Sequence, residues 1–176
     1  DLNYYAGQRK MLQESATIFD EFIERMKTSY PLPTAVLITG DLTKDGERES
    51  HEYVIAGLNQ LKNMGIKVYV IPGNHDLGAE GNNTLFKADG TTESVEVLAP
   101  GDFPYFYNGY GYGTYGTEYD TNSLSYVAEI QYGLVLLAID SHTASISDET
   151  LTWLCDKATE ARSNGKQVIA MMHHPL

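Results

Sequence analysis

Three short apolar runs rich in β-branched residues each break off abruptly into polar residues. Residues 34–39 (TAVLIT) run into Gly40-Asp41, 66–71 (IKVYVI) into Pro72-Gly73-Asn74-His75-Asp76, and 167–172 (QVIAMM) into His173-His174-Pro175. Continuous apolar runs of this length fit strands buried on both faces, as in sheets covered by helices. The interval between the first two leaves room for one helix, and strand, helix, strand at that spacing predicts a crossover joining parallel neighbours. The pattern constrains the chain to an α/β fold. In such folds the residues beyond the carboxyl ends of the strands meet at one end of the sheet, where ligands bind.

The helices are legible from period. Over 8–28, Met11, Leu12, Ser15, Ile18, Phe19, Phe22, Ile23 and Met26 recur at three- and four-residue steps, with Glu14, Asp20, Glu24 and Lys27 opposite. "YPLP" at 30–33 stops that helix. A second helical pattern over 47–64 turns Tyr53, Val54, Leu58 and Leu61 inward, with Gly65 suited to the left-handed position that closes a helix. Residues 78–122 are turn-rich. The tyrosines and glycines between Tyr105 and Tyr119 show no sustained period, which predicts a packed irregular loop, rather than a ligand cradle, with a short helical turn near 102–108. Residues 123–130 and 134–140 read as two strands joined by a tight turn. Ser147 is placed to cap a helix over 148–163, with Asp148 and Glu149 at its positive end. The expectation is a layered α/β fold with a mixed sheet, in one domain spanning 1–176.

Twelve Lys and Arg against 24 Asp and Glu leave a net charge of −12. No basic stripe exists for nucleic-acid scaffolding or for an anionic membrane surface. An acidic protein that handles phosphate needs local positive charge, and a bound metal ion is the obvious source. No run reaches the ~18 apolar residues of a membrane span. The single cysteine, Cys155, excludes an internal disulfide and a multi-thiolate zinc site, and its neighbours Leu151, Trp153 and Leu154 predict a buried helical thiol.

The strand ends carry an Asp carboxylate, an Asn carbonyl and two imidazoles. Oxygen with imidazole nitrogen and no sulfur suits zinc, manganese or iron. Asn is a weak neutral ligand, so its use fits a site where an anionic bridge such as Asp41 or a hydroxide already supplies charge, which points to two metals. Taken singly, Asp41 reads equally as a turn residue, Asn74-His75-Asp76 as an Asx-turn with a solvated imidazole, and His173-His174 as a polar strand terminus. His51 reads as a surface or helix-face residue of the second helix. His142, after Asp140-Ser141, stands at the same end of the sheet and belongs to no motif.

"GD" after one strand, "GNHD" after the next and "HHP" after a later one resemble, in order, the second, third and fourth motifs of the calcineurin-like metallophosphoesterases, over nearly the whole chain. The resemblance implies a four-layer αββα sandwich and a dinuclear site of two divalent or trivalent ions (Mn, Fe or Zn) acting on a small phosphate monoester or diester. By position, Asp41 would bridge the metals, while Asn74 and His173 would hold the second. His75 would stand beside the leaving group as proton donor or transition-state stabiliser, Asp76 would orient it, and His174 would support the site from behind. The bound metal would bring the pKa of a water down to about 7.

The family's first motif, Asp-x-His, and its last, Gly-His-x-His, are not in this sequence. The chain therefore reads as a stretch of a longer phosphoesterase, truncated at both ends, and is expected on its own to hold an incomplete centre without turnover. It looks like members that occur as larger secreted or envelope bacterial proteins. A non-catalytic binding module that kept the fold and lost its metals is the alternative.

Overall fold

The computed structural model describes residues 11–78, 84–87 and 89–175. Helix α1 (Ser15–Thr28) precedes strand β1 (Ala35–Ile38), helix α2 (Arg48–Asn63) and strand β2 (Lys67–Val70). Strands β3 (Thr84–Phe86) and β4 (Thr92–Ser94) follow, then a 3-10 turn (Pro100–Asp102) and the single-turn helix α3 (Phe103–Phe106). The chain continues through β5 (Glu118–Tyr119), β6 (Tyr126–Gln131), β7 (Leu134–Ile139), α4 (Asp148–Ser163) and β8 (Gln167–Met172).

The expected crossover is present: β1 and β2 pair in parallel, with Ile38 opposite Val70, so both strands finish level. Strands β5, β6, β7 and β8 form a second, mixed sheet in that order. Within it β6 and β7 are an antiparallel hairpin turned at Tyr132-Gly133, while β7 and β8 run parallel with Ile139 opposite Met172. The two parallel pairs present carboxyl ends from which residues 39–45, 71–77, 140–142 and 173–175 emerge.

Side-chain alternation on β7 shows how the layers stack. Leu136 and Ala138 join the core shared with β2, α1 and α2, where Ile23, Val54, Leu58 and Leu61 are buried. Val135, Leu137 and Ile139 point the other way, onto Leu154 and Ala161 of α4. Helices, sheet, sheet and helix lie in that sequence, a mixed α/β architecture. The tyrosine and glycine segment fills space between the sheets. Tyr107, Tyr110 and Tyr112 are buried, and the Tyr126 hydroxyl of β6 donates to Val70 O of β2 at 3.0 Å.

Several expectations are corrected. Helix α1 begins at Ser15, and residues 11–14 form a turn; residues 8–10 lie outside the described residues. Met11 and Ile18 are exposed. Strand β1 is only half-buried, with Leu37 exposed. Tyr53 is exposed and its hydroxyl donates to Asp20 Oδ1 at 2.8 Å, because the buried stripe of α2 runs through His51, Val54, Leu58 and Leu61. His51 is therefore fully buried and not a surface residue. Cys155 is exposed: the buried stripe of α4 passes through Thr150, Leu154 and Ala161, and Cys155 lies about 100° further round the helix from Leu154. The β3–β4 pair and the short β5 were not legible as strands. Ser147 caps α4 as expected, its Oγ accepting the Thr150 N–H at 3.1 Å.

Candidate active site at the strand ends

The turn after β1 demands unusual backbone. Gly40 has φ +90° and Asp41, with φ +55°, is one of the few non-glycine residues in the left-handed region. A Cβ on Gly40 would lie 2.3 Å from Gly73 N, and one on Gly73 would lie 2.3 Å from Asp41 Oδ1 and 2.9 Å from His173 Cε1. Two glycines let the β1 and β2 loops touch backbone to backbone. That contact carries the Asp41 carboxylate to the β2 loop, where its Oδ1 accepts the His75 N–H at 3.1 Å.

The residues singled out from sequence fall in two groups. Asp41, Asn74 and His173 come together: His173 Nε2 is 3.0 Å from Asn74 Oδ1 and 3.3 Å from Asp41 Oδ1. His173 Nδ1 is 2.9 Å from the carbonyl oxygen of Thr39, which can only accept, so Nδ1 carries a proton. Nε2 then faces a carboxylate oxygen and an amide oxygen. These three groups meet with their lone pairs inward, unless an imidazolium proton or a cation stands between them. Carboxylate, amide oxygen and an imidazole nitrogen with its tautomer set by a carbonyl behind it form a donor set that fits a borderline or hard divalent ion. Among the described residues no group of three or more His, Cys, Asp and Glu gathers in metal-binding fashion; the third member of this set is Asn74.

His75 lies beside this group and is held from behind. Its Nδ1 donates to Lys44 O at 2.7 Å and lies 3.4 Å from Asp45 Oδ1. Lys44 bridges Asp45 and Glu47, both buried. Burial works against the Lys44 charge, but the two carboxylates outweigh it and hold the ammonium above its ordinary pKa. Asp41, Lys44 and His75 open onto a groove of about 1170 Å³ that also reaches Phe19 and Tyr53.

Asp76 does something other than orient His75. It is fully buried, and its carboxylate accepts the Thr43 N–H at 2.9 Å, the Thr43 hydroxyl at 3.2 Å and the Gly73 N–H at 2.8 Å. Both oxygens are spent on tying the β1 loop to the β2 loop. Burial pushes the Asp76 carboxyl up, against the pull of those N–H groups.

Sequence reasoning missed two supports. Ser141 is fully buried, and its Oγ accepts the N–H groups of His173 at 3.1 Å and His174 at 2.9 Å while donating to His174 O at 3.2 Å. Its position one residue past a strand, beside the pair it anchors, was the available signal. His51 donates from Nε2 to Asp76 O at 2.8 Å, and its Nδ1 meets the Tyr107 hydroxyl at 2.6 Å. Burial lowers its pKa, which favours the neutral ring with Tyr107 donating. Its place three residues before Val54 and seven before Leu58 marked it as inward.

Parallel strand ends that gather carboxylate, amide and imidazole, on a mixed α/β scaffold of stacked sheets, define a known class. Residues 11–176 match the calcineurin-like phosphoesterase family, and the chain belongs to it. Over 78 residues, 43% of this chain and 28% of the other, it is 36% identical to a 3′,5′-cyclic-nucleotide phosphodiesterase of Nostoc sp. (strain PCC 7120 / SAG 25.82 / UTEX 2576). The shared stretch is thus well under half the length of that relative. Among the described residues no helix is long and apolar enough to cross a membrane.

Proposed function

We propose that the protein carrying this chain hydrolyses phosphate esters, with Asp41, Asn74 and His173 as metal-binding residues and His75 acting on the leaving group. The observation that carries this reading is the meeting of Asp41 Oδ1 and Asn74 Oδ1 at His173 Nε2, from three different loops. Two divalent ions of the Mn, Fe or Zn type are the proposed cofactors, and they would supply Lewis acidity and a water acidic enough to attack phosphorus at neutral pH. Asp41 and Asn74 give that site one negative and one neutral oxygen. His75, its Nδ1 donating to Lys44 O, stands beside the Asp41, Asn74 and His173 group and is the residue assigned to hydrogen bonding or proton transfer at the leaving group. Asp76 is a positioning residue for both loops. Because the Nostoc relative is named for a cyclic diester, a phosphodiester is the first substrate to try.

The test is hydrolysis of bis(p-nitrophenyl) phosphate and p-nitrophenyl phosphate in the presence of Mn²⁺, alongside calorimetric titration with Mn²⁺. Asp41→Asn removes the charge while asparagine tolerates the left-handed backbone, so Mn²⁺ binding should weaken about tenfold or more with little change in folding. Turnover and Mn²⁺ affinity both unchanged in that variant would sink the assignment. The alternative, a binding module without metals, draws on the absence of a fully ionisable triad among the described residues. It would be favoured by a wild-type protein that takes up no Mn²⁺.

A further inference from the structure

A second constellation at the same end of the molecule is not used by the reading above. Asp140 and His142 flank Ser141 just past β7, and His142 Nδ1 donates to Asp140 Oδ1 at 2.6 Å. The same carboxylate accepts the N–H groups of His142 at 3.2 Å and Leu124 at 3.0 Å. Burial alone would raise the Asp140 carboxyl, yet these bonds outweigh it and hold the group below its ordinary range, so it stands as a carboxylate. Since a carboxylate only accepts, the His142 proton is fixed on Nδ1, and Nε2 has no partner among the described residues. An imidazole backed by a carboxylate in this way is a good acceptor for an O–H.

The dyad lines a cavity of about 530 Å³, within the range of small-molecule sites. Asn122, Ser145 and Ser147 put polar groups on its wall, Leu124 and Ile146 put carbon there, and no Lys or Arg lines it. A wall without cations and with an ionised Asp140 disfavours a phosphate or carboxylate. Hydrogen-bonding groups alternating with apolar surface fit a neutral polyhydroxyl body with both O–H groups and a carbon face. The loop that presents His142 is held in a tight turn, with Ala144 at φ +58° and its N–H donating to Ser141 O at 2.9 Å. Left-handed backbone at alanine is uncommon and persists where the surroundings enforce it.

The placement relates this cavity to the strand-end site. Because Ile139 pairs with Met172, Asp140 and His173 leave adjacent strands side by side, about 4.8 Å apart. We propose that the cavity receives the alcohol part of the ester, a sugar-type group whose hydroxyl donates to His142 Nε2. His142 is thereby a specificity residue, and this inference rests on the phosphoesterase reading for the other half of the substrate.

The test uses two esters that share a p-nitrophenol leaving group: p-nitrophenyl thymidine 5′-phosphate, which carries a sugar, and bis(p-nitrophenyl) phosphate, which does not. With Mn²⁺ present, the ratio of their kcat/KM values should fall about tenfold on His142→Phe, the loss of one hydrogen bond. An unchanged ratio overturns the proposal. A second measurement on the wild-type protein follows the ¹⁵N resonance of His142 Nε2 during titration with thymidine, where a saturable shift is expected. If the wild-type protein cleaves neither ester, the phosphoesterase reading fails and the imidazole resonance decides alone. A saturable shift then keeps the cavity as a sugar site, and a resonance that does not move overturns it.

Discussion

Asp76 accepts both the backbone N–H and the hydroxyl of Thr43, a residue 33 positions earlier in the chain. With the Gly73 N–H on its other oxygen, this one carboxylate fixes the distance between the loop that carries Asp41 and the loop that carries Asn74 and His75.

Replacing Asp76 with alanine would leave the Thr43 and Gly73 N–H groups buried without acceptors. At about 1–3 kcal/mol for each buried group left unpaired, Asp76→Ala should lower unfolding free energy by about 2–6 kcal/mol. Urea denaturation measures it. A variant as stable as wild type would show that the tie is dispensable.

Ser141→Ala strips one acceptor from two N–H groups, those of His173 and His174. Stability should drop by about 1–3 kcal/mol, and Mn²⁺ affinity should drop with it, because His173 loses the anchor that sets its depth. Thermal melts and calorimetry on the same preparation separate the two effects. Loss of stability with full Mn²⁺ affinity would mean that Ser141 is purely structural.

Gly73→Ala forces a methyl to within 2.3 Å of Asp41 Oδ1 and 2.4 Å of Asp41 N. Backbone has to move, and overpacking of this kind costs about 1–3 kcal/mol. The expected result is a less stable protein in which the His173 imidazole resonances shift, read by NMR. Gly101→Ala, where a Cβ meets nothing within 4 Å and φ, like that of Gly73, is not positive, is the control for losing a glycine without a clash.

Asp120 accepts hydrogen bonds from Thr150 Oγ1 at 2.6 Å, Ser123 Oγ at 2.7 Å and the Asn122 N–H at 3.2 Å. Burial raises its carboxyl, but those donors prevail and hold it below the ordinary value. A folded pKa below the unfolded one gives stability that is present above about pH 4 and lost as pH falls through the folded value. Asp120→Asn should therefore flatten the acid limb of stability below about pH 4. Urea midpoints across pH 3 to 6 measure the slope, and parallel curves for the two proteins would refute the linkage.

The elements with an unambiguous period were legible in the sequence. Helices α2 and α4, strand β7 and the three strands that end in polar residues fall within a residue or two of their expected places, and β6 begins three residues later than expected. Their apolar spacing is set locally and survives packing. The short β3, β4 and β5 are two or three residues long and exist through the partner strand each pairs with, so no local pattern announced them.

Asp41, Asn74, His75, Asp76 and His173 could all be picked out before folding, because several polar residues placed directly after an apolar run have few purposes. What each does depends on what stands opposite, and that is a property of the packed chain. Asp76 turned from the His75 ring to the backbone of Thr43 and Gly73, and His51 turned from solvent to the core between Tyr107 and Asp76. The sequence by itself determined the α/β layering and which residues reach the carboxyl end of the strands, since apolar period and strand ends are encoded within a few neighbouring residues. Only the tertiary structure decided that Asp41, Asn74 and His173 share a point, and that Ser141, His51 and Lys44 stand behind the site. Those contacts span 25 to 134 residues of chain, from the Asp76 carbonyl at His51 to the Thr39 carbonyl at His173, or they depend on side-chain directions that no local pattern carries.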